Sequence, residues 1–238
     1  MAEMLLKVEG LEAGYGEVQV LWGVSLAAGR GQLTAIVGAN GAGKTTTLRA
    51  VAGTITPMRG RIVFEGEDVT RLSTHEKAAR GFALVPEGRQ LFSTMTVAEN
   101  LELGAFSKRA MRKYAQRRDE VFTLFPRLAE RQRQLAGTLS GGEQQMVAIA
   151  RALMSDPDIL IIDELSLGLA PVVVYQLFKT LKKLKEGGLT ILLVEQNVHL
   201  ALAVSDYAYV IAEGRLFTEG NPTELAAKPE IRRAYLGL

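Results

Sequence analysis

The sequence predicts an α/β fold built on a mainly parallel sheet. Three observations carry that reading. Short, continuously apolar runs, LTAIVG (33–38), ILIIDE (159–164) and LTILLVEQ (189–196), have the length and composition of strands buried on both faces. These runs alternate with longer stretches of helical pattern, the order that covers a parallel sheet on both sides. The first run ends in a glycine-rich loop that opens a helix at Lys44.

The elements follow in order. LLKVEGL and VSLAAGRGQLTAIVG mix β-branched residues with glycine turns and read as strands. GRIVFEGEDV (60–69) reads as a hairpin turning at Glu65–Asp68. From about Val97 to Leu128 the pattern is helical and highly charged. There, SKRAMRKYAQRRDE sets out Lys108, Arg109, Arg112, Lys113, Arg117 and Arg118. The basic run reads as a solvated helix face; a contact surface for a partner protein or lipid headgroups is the sharper alternative. Little aromatic residue is interleaved, which disfavours single-stranded nucleic acid as the partner. After Gly141 a helix is apolar on several sides (Met146, Val147, Ile149, Ala150, Leu153) and stops at SDPD, where Pro157 disfavours continuation. ILIIDE is a buried strand ending in two carboxylates. VVVYQLFKTLKKLKEGG is an amphipathic helix stopped at Gly187–Gly188, LTILLVEQ another buried strand, and AYVIAEGRLFTEG a terminal hairpin followed by a short helix. Trp22 is expected in the core.

Composition narrows the function. The 238 residues fit one large domain, and 47% hydrophobic residues supply a sizeable core. A net charge of +2 lacks the basic excess of a dedicated nucleic-acid binder. Without cysteine there is no disulfide, thiolate metal site or cysteine nucleophile, and two histidines, His75 and His199, exclude a histidine-rich metal site. The N-terminal MAEMLLKVEG does not read as a signal peptide, and no apolar run approaches the roughly 18–20 residues of a membrane span. The expectation is a soluble, cytoplasmic protein whose membrane role, if any, is played through a partner.

GANGAGKT (38–45) matches the phosphate-loop pattern G-x-x-x-x-G-K-S/T, with the required strand before it and helix after it. Gly38, Gly41 and Gly43 permit the backbone turns that point successive N–H groups inward. Asn40, Ala42 and Thr46 complete the expected nucleotide-binding stretch. The helix N-terminus adds about half a positive charge. Lys44 can reach the β- and γ-phosphates, and Thr45 offers a hydroxyl to Mg²⁺. The acidic half is ILIIDE: Asp163 is suited to hold Mg²⁺. Glu164 points differently because strand side chains alternate, which suits a carboxylate that orients or deprotonates an attacking water.

A second candidate cradle is TLSGGEQQM (138–146), a serine and two glycines opening a helix with no lysine or arginine beside them. Read alone, it is either an anion site or a Ser-capped helix whose glycines permit packing. Here the chain resembles the ATP-binding-cassette (ABC) ATPase family, and the resemblance extends over nearly the whole length. It implies a P-loop NTPase core with a mainly parallel sheet, an N-terminal antiparallel β subdomain and an inserted α-helical subdomain. It implies one ABC ATPase domain over 1–238, with the helical subdomain over 88–155 carrying this signature at its C-terminal end. It further implies that Ser140, Gly141 and Gly142 bind the γ-phosphate held by a second subunit, so that two subunits sandwich two ATPs head to tail. Tyr15, in GYGEVQVL, matches the aromatic residue that stacks on adenine.

Three positions depart from the common family pattern. A glutamine that senses Mg²⁺ and the attacking water falls at Glu87 in VPEGRQLF, with Gln90 close but out of register. The usual histidine after the last core strand falls at Gln196, and His199 reads as a helix residue. The loop after Glu164 ends in Ala170 in place of an aspartate. With VPEGR, SLGLAP and VEQN, the chain looks like the ATP-binding subunits of branched-chain amino acid importers, of the sister type spelled VEQN. The resemblance implies ATP hydrolysis with Glu164, Gln196 and Glu87 at the reacting phosphate, and Mg²⁺ on Thr45, Asp163 and, if it does not stay withdrawn until closure, Glu87. It implies integral-membrane permease partners, a second ATPase subunit (identical or sister), indirectly a substrate-binding protein, no nucleic acid, and a place on the cytoplasmic face of the membrane.

Other readings are weaker. An importer ATPase for another small solute has the same motifs. A soluble ABC ATPase acting on nucleic acid or the ribosome commonly carries two cassettes or long coiled-coil insertions, and sustained heptads are absent here. A GTPase or kinase leaves LSGGEQQ unexplained and lacks an Asn-Lys-x-Asp motif. A regulatory module that holds ATP without turnover has no need of intact Lys44, Asp163 and Glu164. One consequence is measurable. Gln196 is a neutral amide, whereas a histidine there titrates near 6.5. ATPase activity is therefore expected to vary less between about pH 6 and 8 than in Gln196→His; identical pH profiles would overturn this.

Overall fold

A strand without polar interruption needs cover on both faces, and the fold supplies it. The computed structural model describes residues 3–231 and 233. The chain opens with two long strands, β1 (Met4–Tyr15) and β2 (Val18–Gly29), then β3 (Leu33–Val37), the glycine loop and helix α1 (Lys44–Ala52). The hairpin β4 (Arg59–Phe64) and β5 (Glu67–Asp68) leads to α2 (Thr74–Ala79) and β6 (Phe82–Val85). A run of helices follows: α3 (Val97–Gly104), α4 (Lys108–Arg112), α5 (Tyr114–Leu124), α6 (Pro126–Glu130) and α7 (Gly141–Leu153). The chain then alternates through β7 (Ile159–Asp163), α8 (Pro171–Glu186), β8 (Thr190–Glu195) and α9 (Val198–Val204). It ends with the hairpin β9 (Tyr207–Ala212) and β10 (Arg215–Gly220), α10 (Pro222–Ala227) and α11 (Pro229–Ile231).

The main sheet has the order β10-β9-β3-β8-β7-β6. Its strands are parallel except at the β9–β10 edge. Every residue of β3, β7 and β8 is buried. Alternation divides them between two cores. Ile159 and Ile161 of β7 and Leu192 and Val194 of β8 face a cluster with α1 and the second sheet. Leu160, Ile162, Ile191 and Leu193 face α3, α7 and α8. The second sheet is antiparallel, ordered β2-β1-β4-β5, and closes over α1 through Leu11, Leu21, Ile62 and Phe64. Helix α1 is thus packed between two sheets, which fixes the direction in which its N-terminus points.

Local signals agree with the helix starts. Ser73, Thr96 and Ser140 each open a helix with a capping box, closed by Glu76, Glu99 and Glu143. α7 runs on to Leu153, ahead of Pro157 as expected.

Two expectations are corrected. Trp22 is 45% exposed. On β2 the inward position is taken by Leu21, so pleating turns Trp22 outward, where the Arg215 guanidinium lies 5.7 Å above its ring. The basic run is also more than a solvated face. Lys108, Arg112 and Arg118 are exposed, but Arg109, Lys113 and Arg117 converge on Asp156, between α7 and β7. Arg109 Nε donates to Asp156 at 3.1 Å and Lys113 Nζ at 2.8 Å; Arg109 also forks onto Asp158 at 2.7 and 3.1 Å. The Asp156 side chain is 2% exposed. Burial alone would raise its pKa, but the hydrogen bonds from Lys113, Arg117 and Arg109 prevail and hold it down at about 2. The cluster ties α4 and α5 to the strand that carries the acidic site residues.

A carboxylate depressed from its unfolded value near 3.9 contributes stability that is present above about pH 4 and lost as pH falls toward 2. Asp156→Asn is expected to cost about 2–3 kcal/mol in urea unfolding at pH 7. The gap to the unsubstituted protein should narrow below pH 4.

Candidate nucleotide site

The glycine loop leaves the carboxyl end of β3 and enters α1 at Gly43, whose φ of 103° is left-handed. A side chain at Gly38 would overlap the Ile211 carbonyl oxygen, so this position needs glycine for close approach of β9. No acidic residue occupies the first turn of α1, leaving the positive helix end uncompensated. Lys44 is 4% exposed, and its Nζ donates to Gly38 O at 3.0 Å and Ala39 O at 3.1 Å. The ammonium is held by backbone dipoles rather than a carboxylate, which keeps its charge available to an anion. A cavity of about 480 Å³ opens over the loop. Asn40, Gly41, Gly43, Lys44, Thr45 and Thr46 of the loop and helix start line it together with Glu87, Glu164 and Gln196. Gly38 and Ala42 are buried and do not line it.

Three elements far apart in sequence meet here because β3, β8 and β7 are parallel neighbours. Thr45 Oγ1 donates to Asp163 Oδ1 at 3.1 Å, across 118 residues of sequence. Burial pushes the Asp163 carboxyl up to about 6; the Thr45 hydrogen bond opposes this, and the nearby charges of Glu164 and Glu87 add to it. Among the described residues no group of three or more His, Asp or Glu could hold a metal by itself. The donors still fit Mg²⁺. A hydroxyl and a carboxylate with surplus negative charge around them are hard oxygen ligands, and Mg²⁺ is ordinarily completed by phosphate oxygens and water. Bound there, Mg²⁺ would neutralise charge on the phosphates.

Glu164 departs from the expected reason for its direction. β7 ends at Asp163, and Glu164 lies beyond the strand with φ of 50°, its N–H bonded to Val194 O at 3.0 Å. The left-handed turn, not strand alternation, aims its side chain into the cavity. Gln90 does not line the cavity; its carbonyl accepts from Arg151 at 2.9 Å. His199 sits on α9, as the sequence implied.

Tyr15 ends β1 beside α1, 42% exposed, and its hydroxyl accepts from Arg49 Nη1 at 3.1 Å. Ser140 caps α7: its Oγ accepts from Glu143 N at 3.3 Å and donates to Glu143 Oε2 at 2.7 Å. Gly142 is buried against Val173, where a Cβ would come within 2.6 Å, so within one chain this glycine permits packing. No lysine or arginine adjoins the turn in sequence, but the fold lays the Arg89 guanidinium 3.2 Å from where a Gly141 Cβ would stand, bonded to Gln144 Oε1 at 3.1 Å. Arg89 and Gln144 are 55 residues apart, so adjacency in sequence could not show it. None of Ser140, Gly141 and Gly142 lines the cavity above Lys44. Sequence reading also passed over Val20 and Leu167, which line that cavity as apolar walls and carry no chemical signature.

This architecture, a phosphate loop over a parallel sheet with an antiparallel sheet and inserted helices, is that of a nucleotide-binding cassette. It superposes on MJ1267, an ATP-binding cassette of an ABC transporter solved in its ADP conformation, with a TM-score of 0.86 and 28% identity, covering all of both chains. The ABC transporter family model matches residues 21–166. The chain is 44% identical to the high-affinity branched-chain amino acid transport ATP-binding protein BraG of Pseudomonas aeruginosa, over 98% of this chain and 100% of that one. It is 33% identical to the lipopolysaccharide export system ATP-binding protein LptB of Escherichia coli, over 98% and 97%. The chain belongs to the ABC transporter family and is an ATP-hydrolysing transport subunit.

Gly38→Ala tests the cradle. The clash is with a backbone carbonyl, which cannot rotate away. The substitution is expected to lower stability by about 1–3 kcal/mol and to weaken ATP binding, read by thermal unfolding and equilibrium binding.

Proposed function

We propose that the chain is the ATPase subunit of a branched-chain amino acid importer, with Mg²⁺-ATP bound between two cassettes. The observation that carries the mechanism is the separation within one chain of the Lys44 loop from the Ser140 turn, which lines no part of the Lys44 cavity. Both features suit a phosphate, and a head-to-tail partner brings a Ser140 turn to each loop. The partner is a second copy or a sister cassette. Lys44 and the loop N–H groups grip the β- and γ-phosphates, Thr45 and Asp163 would hold Mg²⁺, and Tyr15 stacks on adenine. Glu164 orients and deprotonates the attacking water. Gln196 donates its amide hydrogen to the γ-phosphate, and Glu87, which lines the same cavity, would sense the metal and the attacking water. Loss of the γ-phosphate removes what both cassettes grip, and the pair opens.

Residues 88–155 act as the helical subdomain that transmits this change. No helix among the described residues is long and apolar enough to cross a membrane. A permease segment instead docks in an apolar groove of about 580 Å³ between the core and the inserted helices. Phe92, Leu103 and Phe106 line it and are 52%, 42% and 56% exposed. Docking there sets the subunit on the cytoplasmic face of the membrane. Import of leucine, isoleucine or valine, delivered by a binding protein, rests on the greater identity to BraG than to LptB.

Glu164→Gln is expected to abolish turnover, retain ATP and run as a dimer on size exclusion only with ATP, whereas Ser140→Ala in that background weakens the dimer at least tenfold. A loaded Glu164→Gln protein that stays monomeric both alone and when mixed with the sister cassette overturns the sandwich. Failure of the chain, with its permeases and the binding protein, to drive uptake of leucine, isoleucine or valine into vesicles overturns the cargo.

A further inference from the structure

The geometry points to Glu195 as a positioning residue for hydrolysis: its buried carboxylate clamps Ser166, and through it the turn that aims Glu164, to the strand end that presents Gln196. The inference rests on the roles proposed for Glu164 and Gln196, and neither Glu195 nor Ser166 has a part in that chemistry.

Glu195 is 1% exposed and lines no part of the nucleotide cavity. Ser166 N donates to its Oε1 at 2.9 Å, and Ser166 Oγ donates to its Oε2 at 2.9 Å. No lysine, arginine or histidine pairs with it among the described residues. Burying a carboxylate without a cation is costly, so hydrogen bonds must hold it, and both of these come from Ser166, in the loop that follows Glu164. Glu164 N is tied to Val194 O at 3.0 Å, one residue before Glu195. Two consecutive residues of β8 therefore anchor the chain on either side of Leu165. That pair of anchors maintains Glu164 in its left-handed conformation, φ of 50°, which a non-glycine residue keeps only when its surroundings impose it. The next residue along β8 is Gln196. One carboxylate thus sets the distance between the residue acting on the water and the residue acting on the phosphate.

The test is steady-state ATP hydrolysis and equilibrium ATP binding by the purified full chain carrying Glu195→Ala, Glu195→Gln or Ser166→Ala, with Glu164→Gln alongside. Glu195→Ala is expected to lower kcat at least tenfold, and the half-saturating ATP concentration for binding should change less than threefold. Ser166→Ala loses one hydrogen bond and should lower kcat at least threefold with the same unchanged binding, which keeps the test open should Glu195→Ala not fold. Glu195→Gln can keep both contacts by reversing the serine hydroxyl, so it should retain at least a third of kcat. Full kcat in Glu195→Ala or Ser166→Ala overturns the clamp, as does a loss of ATP binding in step with kcat. A Glu195→Gln protein as slow as Glu195→Ala overturns it in favour of a charge effect. If Glu164→Gln itself keeps turning over, the site assignment fails first; if only the clamp variants are fully active, the clamp alone fails.

Discussion

The structure depends on one constraint: β3, β8 and β7 lie side by side, parallel and in register, so that all three end at the same edge of the sheet. The register sets Val37 opposite Glu195 and Val194 opposite Asp163. The glycine loop, the Gln196 turn and the Glu164 turn therefore leave the sheet as neighbours. Backbone hydrogen bonds between the strands fix where each loop leaves the sheet. Everything placed around the cavity inherits that arrangement: Thr45 against Asp163, Glu164 against Val194, Ser166 against Glu195.

The two ends of β7 show how surroundings, not residue type, set charge. Asp156, just before the strand, is buried among two arginines and a lysine and held at about 2. Asp163, at the other end, is buried beside Glu164 and Glu87 and pushed up to about 6. The first is a compensated charge that fastens the inserted helices to the core. The second belongs to a site left with surplus negative charge beside Lys44 and the positive end of α1. Such a site is electrostatically incomplete, and a nucleotide with its cation is the kind of ligand that completes it.

The inserted helices show a similar division of labour. α7 packs its apolar residues on the sheet, yet its first turn, with Ser140 and the neighbouring Arg89, lies away from the chain's own nucleotide cavity. Phe92, Leu103 and Phe106 remain exposed on the groove between these helices and the core. The apolar groove is costly to leave uncovered, and both surfaces suit a subunit that works in an assembly.

Local patterns decided a good deal by themselves. The continuous apolar runs gave the buried strands, the glycine-lysine loop gave the anion cradle, and Ser140 followed by Glu143 gave the start of α7, because each depends on residues a few positions apart. The carboxylates after ILII were legible for the same reason. What tertiary structure decided depends on residues far apart in the chain. Trp22 faces outward because Leu21 takes the inward place on a strand whose facing could not be known beforehand. Arg109, Lys113 and Arg117 looked like a solvated face until the fold brought Asp156 to them across 39–47 residues. Arg89 reached the Ser140 turn, and Ser166 reached Glu195, by the same route. Hydrogen bonds and charge pairs act over a few ångströms of space, and only the folded chain sets those distances.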